Sequence, residues 1–182
     1  MDTEDIKIFS SEASGETHAG DLDTLAAETE ALRESGNLDA AKRLGRELAA
    51  LSAQSPELLA LSQSFGFTLA PAREQQLHVL MVFSGQHALR AQLPKLLSEA
   101  ALTAMNNYLI NHSKPFWDTI SDGSAFTQYL LAAPMLKPAQ AELVGDVFAR
   151  VCGQEDNPDL RRLGATVFTT AAELVKAKWE AL

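Results

Sequence analysis

Cysteine, aromatic residues, basic residues and long apolar runs are all scarce in this chain, and each scarcity closes a route to function. Cys152 is the one cysteine among 182 residues, so no intrachain disulfide can form, which agrees with a reducing compartment. It falls late in an apolar helical stretch near Phe148, with Glu155 and Asp156 close by. That is not the electropositive, accessible setting that activates a thiol. Cys-x-x-Cys, His-Glu-x-x-His, Gly-x-Ser-x-Gly and a glycine-rich phosphate loop are all missing from the sequence, so it carries none of the usual zinc, hydrolase or nucleotide signatures. The longest apolar run, "VLMVF" at Val79 to Phe83, is far below the roughly 18 residues of a membrane-spanning helix. "MDTEDIKIF" at the start is acidic and lacks the basic-then-apolar order of a secretory signal. A cytoplasmic location is the expectation.

Basic residues are thin as well: 15 Lys and Arg against 24 Asp and Glu, a net charge of −9. A nucleic-acid face needs clustered bases to neutralise phosphates. Here the closest groups are Lys42-Arg43 with Arg46 a turn on, and Arg161-Arg162, so no nucleic-acid partner is expected. Much of the negative charge sits at one end. Asp2, Glu4, Asp5, Glu12, Glu16, Asp21 and Asp23 are offset by Lys7 alone. "SSEASGETHAG" at Ser10 to Gly20 has only alanine for apolar surface, too little to offset its ordering entropy. Residues 1–20 are therefore expected to form a disordered acidic leader, and residues 21–182 a single helical domain.

What remains is helical periodicity. Leu22, Leu25, Ala26, Thr29 and Leu32 form one stripe, and Leu38, Ala41, Leu44, Leu48 and Leu51 a second. "SGN" at Ser35 to Asn37 separates them, and Asn37 reads as an N-cap. Ser55-Pro56 opens a third helix, ended by Gly66, and Pro71 opens a fourth that runs to about Ala91. The middle of the fourth, "LHVLMVF", is apolar nearly all round, which places it at the centre of the core. A fifth helix follows Pro94, Pro115 opens a short turn through Phe116 and Trp117, and a sixth helix runs from about Ser124 to Ala132. A seventh carries Leu143, Val144, Val147 and Phe148, and Asn157-Pro158 caps an eighth. No segment alternates as a strand would. The fold class is all-α: a compact bundle of about seven or eight helices in antiparallel hairpins. Gly145 and Gly164 fall inside helices, at about 1 kcal/mol each against alanine. Close helix contact is the expected compensation.

The first hairpin resembles a tetratricopeptide repeat. In "GNLDAA", Gly36, Leu38 and Ala41 match the small, large and small positions of that family, and Leu25 and Leu32 sit where its first helix has large residues. Thr29, Gly45 and a late Pro56 depart from the pattern, and no second copy follows 34 residues on, where Ala70 and Pro71 stand. The resemblance implies a helical hairpin and a partner-binding role. The run from "ALTAMNNYL" through "ISDGSAFTQYLL" resembles segments of an uncharacterised bacterial all-helical family, which implies the fold class and no function.

"FWDTISDGSAF" at Phe116 to Phe126 concentrates the remaining chemistry. Asp118, Asp122 and Gly123 match positions of a calcium loop, but Ile120 and Tyr129 stand where further ligands belong, which excludes it. His78 and His87 share a helix but are two and a half turns apart, on opposite sides. Glu74 and His78 share a face without the further glutamates of a dinuclear site. Neither a metal nor a cofactor is expected. Two readings of the stretch remain: a capped corner whose aromatics pack inward, and a pocket rim formed by Tyr108, Trp117, Asp118, Asp122 and Tyr129. Three functions follow from the whole sequence. The first is a non-enzymatic helical module that binds a protein or peptide. The second is a small-molecule-binding domain or enzyme with a pocket near Trp117. The third is a homo-oligomeric structural protein.

Overall fold

The structure is a computed structural model and describes residues 17–132 and 140–182. Nine helices occupy the described residues, and no strand occurs among them. They are α1 (Thr17–Glu34), α2 (Asn37–Ala53), α3 (Pro56–Ser64), α4 (Pro71–Gln92), α5 (Lys95–His112), α6 (Lys114–Asp122), α7 (Ser124–Ala132), α8 (Gln140–Val151) and α9 (Pro158–Glu180).

Local chemistry sets most of the boundaries. Ser55 caps α3 by accepting from the Leu58 N–H at 3.3 Å. The Asn157 side chain caps α9 by accepting from the N–H groups of Asp159 and Leu160 at 3.0 and 3.1 Å. Gly66 (φ 79°) turns the chain out of α3, where the Gly66 and Phe67 N–H groups donate to the carbonyls of Gln63 and Ser62. Asn37 does not cap α2 as expected. Gly36 takes that place in the left-handed conformation, φ 77°, so Asn37 becomes the first residue of the helix. α1 begins at Thr17, within the span expected to be leader. The rest of that expected leader, residues 1–16, lies outside the described residues, as does the Pro134–Pro138 loop.

The expected short turn at Pro115 is a correction: it is the nine-residue helix α6. Proline near the first position favours a helix start, and Phe116 and Ile120 are spaced i, i+4 on the face that meets the core, Ile120 buried and Phe116 partly so. Gly123 then separates α6 from α7. A Cβ at Gly123 would overlap the Thr119 carbonyl oxygen, which is why the corner takes glycine.

α4 runs through the centre. Eleven of its residues between Leu77 and Leu89 are buried, and it touches α2, α3, α5, α7, α8 and α9. Burying a leucine or phenylalanine side chain fully is worth roughly 1.5–3 kcal/mol, so this helix contributes the largest block of the core. Phe83 is its aromatic hub. Tyr129 of α7 stacks on it at 5.1 Å, Phe126 meets it edge-on at 6.2 Å, and Phe168 of α9 lies at 6.4 Å.

Two close helix pairs flank the centre. In α8 and α9, a Cβ at Gly145 would overlap the Arg161 carbonyl oxygen, and one at Gly164 would lie 2.7 Å from the Phe148 Cβ and 3.0 Å from the Gly145 Cα. The two glycines face one another, and the expected compensation is present. In α2 and α5, a Cβ at Gly45 would overlap the Ala101 carbonyl oxygen and sit 2.8 Å from its carbon. At Gly45 and Gly145 the obstacle is backbone, which cannot rotate away. Glu142, Asp146 and Arg150 do not pair along α8. Asp146 reaches Arg161 of α9 at 3.2 Å, and Arg150 reaches Glu155 at 3.6 Å.

Gly45→Ala and Gly145→Ala are each expected to lower unfolding free energy by about 2–4 kcal/mol, since helices must separate to admit the methyl group. Gly85→Ala is expected to be neutral or stabilising by about 0.5–1 kcal/mol, because a Cβ there meets only the Met105 methyl at 3.7 Å. Urea midpoints of the three variants check this, and equal effects would contradict the account.

Candidate functional site

α5 carries no Asp, Glu, Lys or Arg from Ala100 to its end at His112, although one of its faces is open to solvent. Leu97, Ala101, Leu102, Met105 and Leu109 point inward and are buried. The other rows, spaced i, i+3 and i+4, present Ala100, Thr103, Ala104, Asn107 and Asn111. An exposed helix face ordinarily collects charges; this one carries small and amide side chains.

α2 supplies the second wall. Leu38, Lys42 and Arg46 succeed one another every four residues, along the edge beside its buried row Ala41, Leu44, Gly45 and Leu48. Because Gly45 lets the α2 backbone approach Ala101, the two rows lie side by side and enclose an open groove of about 550 Å³. That volume is within the usual range for a binding site. At one end the Tyr108 ring stacks on His112, centroids 4.3 Å apart and planes 13° apart. The His112 Nδ1–H donates to the Tyr108 backbone carbonyl at 3.1 Å, which fixes the imidazole over the phenol and leaves the outer ring faces as a flat platform. Lys42 reaches Asp39 at 3.3 Å. Arg46 and Glu99, also in the lining, form no ion pair among the described residues.

The five residues expected to share one rim are not gathered in this groove. Tyr108 lines it; Trp117, Asp118, Asp122 and Tyr129 do not. Trp117 is half-buried against the core. Asp118 accepts from Lys114 at 2.8 Å, one turn back on α6, and Asp122 is exposed at the end of that helix. The Tyr129 side chain is fully buried, and its hydroxyl has no hydrogen-bond partner among the described residues. Burial, and secondarily the neighbouring Cys152, raises the Tyr129 phenol well above its ordinary range. Phe116, Trp117, Phe126 and Tyr129 all pack on the core, as the corner reading requires. The α2 wall is a site that sequence reasoning does not single out. Its visible signals are the uncharged stretch after Glu99 and the cluster Lys42-Arg43-Arg46.

A second cleft, of about 440 Å³, opens beneath α3. Leu51, Leu58, Leu61, Met81 and Leu174 form its apolar walls, and Lys178 stands in its lining, donating to Glu47 at 2.7 Å. Cys152 is half-buried just beyond α8. Burial pushes its thiol up to about 11 despite an opposing effect of Arg73, so little thiolate forms near neutrality. No group of three His, Cys, Asp or Glu side chains among the described residues could hold a metal ion, and none of the described helices is long and apolar enough to cross a membrane.

His78 and His87 are tied to opposite neighbours. The His78 Nδ1–H donates to the Ser52 carbonyl at 2.8 Å, and its ring meets the Phe116 edge at 6.2 Å. His87 lies between Phe83 and Phe168, at 6.1 and 5.3 Å. No protein-family model, curated protein or solved structure matches the chain.

Burial lowers the His87 pKa, with a hydrogen bond to Gln140 opposing and Arg90 assisting. A histidine whose folded pKa is depressed binds more protons when unfolded. Its penalty is absent above the ordinary value of 6.5 and grows as pH falls below it. The loss of stability between pH 6.5 and about pH 5 is therefore expected to be shallower in His87→Phe than in the wild type. Parallel urea-unfolding series check this; a steeper variant slope would contradict it.

Proposed function

We propose that the chain is a non-enzymatic helical interaction module that takes a peptide or partner helix in the groove between α2 and α5. The observation that carries this reading is the uncharged, open face of α5 beside the basic edge of α2. A helix or strand laid along small side chains can approach closely and bury its apolar anchors. The Tyr108–His112 platform offers a flat surface for an aromatic anchor, and Arg46 offers a charged contact at the far end. The repeat-like features of the first hairpin point the same way. Peptides selected by display on the full chain are expected to lose affinity about tenfold or more on Ala104→Arg, which fills the groove, with the melting temperature unchanged. Selected peptides indifferent to that substitution would sink the reading.

The cleft beneath α3 supports a second reading, a domain that binds a small apolar molecule. It lies away from Trp117, which is not part of its lining. Naphthol, as an apolar aromatic probe, is expected to raise the melting temperature of the wild type and not that of Leu174→Trp. No shift in the wild type, or an equal shift in both, would end this alternative.

A further inference from the structure

We propose that the acidic segment ahead of α1 is a ligand of the α2–α5 groove in cis, so that the chain carries its own competitor for the site. The inference rests on the groove being the binding surface, and it adds what regulates access to it.

Charge is the first argument. The chain is acidic, −9 in all, and many bases in the described residues already have an acid beside them. Arg33 pairs with Glu30, Lys114 with Asp118, Arg150 with Glu155, Arg161 with Asp146, Arg162 with Asp159 and Lys178 with Glu47. α2 holds the exposed cluster that is left. Arg43 and Arg46 stand on it with no ion pair among the described residues, next to Lys42, which is held only by the exposed Asp39. Other bases without such a pair, Arg73, Arg90, Lys95 and Lys176, stand singly along the chain. Residues 1–16 carry five acids and one lysine. The signs match in both directions: the groove sets Lys42 and Arg46 against one acid, Glu99, and the segment sets Asp2, Glu4 and Asp5 against one base, Lys7.

Apolar content is the second. Ile6, Ile8 and Phe9 are the large apolar residues of the segment after Met1. They have counterparts in the groove: a floor of Ala100, Ala104 and Leu38, and the stacked Tyr108–His112 rings. Reach is the third. α1 folds back on α2 through the turn at Ser35 and Gly36. Its 18 residues span roughly 27 Å, so the groove lies within about that distance of Thr17. Sixteen residues can span up to about 50 Å. Tethering raises the effective concentration of such a segment to the millimolar range, so a contact too weak to detect between separate molecules still occupies the site.

The test uses the full chain. Ser11→Cys in a Cys152→Ser background takes a nitroxide label, and amide broadening is read by NMR. Broadening is expected along Ala100, Thr103, Asn107 and Asn111, and it should fade in high salt and with Lys42→Glu/Arg46→Glu. Broadening on another face, spread evenly, or unmoved by the charge reversal would overturn the proposal. Neutralising the segment with Asp2→Asn/Glu4→Gln/Asp5→Asn is expected to raise the affinity of groove-selected peptides about threefold to tenfold, by removing competition. If those peptides bind and their affinity does not change, the competitor role fails while the groove reading stands. If the label marks the groove and no peptide is ever selected, the segment is its ligand and the wider binding role fails.

Discussion

The fold depends on the burial of α4 from every side. A helix without a polar face in its middle cannot rest on a surface; its neighbours must replace water around the whole circumference. Six other helices do so. The demand is geometric as well as hydrophobic, since surrounding one cylinder with others requires some of them to come unusually close together. Glycine meets that need twice. Gly45 lets α2 settle on the Ala101 backbone, and Gly145 with Gly164 lets α8 and α9 cross with almost no side chain between them. Each glycine costs about 1 kcal/mol of helix propensity, and the tighter packing of the two backbones offsets it. The same closeness places the outer rows of α2 and α5 beside each other. The candidate groove is thus a by-product of how the core is wrapped.

The side chains of "FWDTISDGSAF" part company in the fold. Phe126 joins the Phe83 cluster, as does Tyr129 just beyond the stretch, and Phe116 meets His78. Asp118 is occupied by Lys114. Aromatic and acidic residues close in sequence are separated by a helix, because α6 turns carboxylates outward and rings inward within a single turn. Tyr129 illustrates the cost: its ring packs fully, while its hydroxyl is buried without a partner among the described residues, a state that ordinarily costs about 1–3 kcal/mol. Its stacking on Phe83 is the compensation that the geometry shows.

Electrostatics separates the two candidate surfaces. The cleft beneath α3 has its lysine already bridged to Glu47, so its character is apolar. The α2–α5 groove keeps Arg46 and Glu99 without ion-pair partners among the described residues at its rim. Exposed charges of this kind contribute little to stability.

Much of the architecture is legible in residue order. Proline at the starts of α3, α4 and α9, the Ser55 and Asn157 caps and the i, i+4 apolar rows act over a few residues, so a linear reading finds them. The central place of α4 is legible for the same reason, since a helix apolar all round has one environment open to it. α6 escapes such a reading because its turn-forming residues, Asp122 and Gly123, suggest a loop, although Pro115 and the Phe116–Ile120 spacing carry the helix. The groove is not legible. Tyr108 stands out, but its partners on α2 lie far earlier in the chain, and no local rule connects Arg46 to Glu99. Sequence by itself determined helices, caps and the buried axis, because those follow from short-range backbone chemistry and periodic hydrophobicity. Only tertiary structure decided which exposed faces adjoin, because that depends on backbones brought into contact at Gly45 and Gly145 by packing around α4.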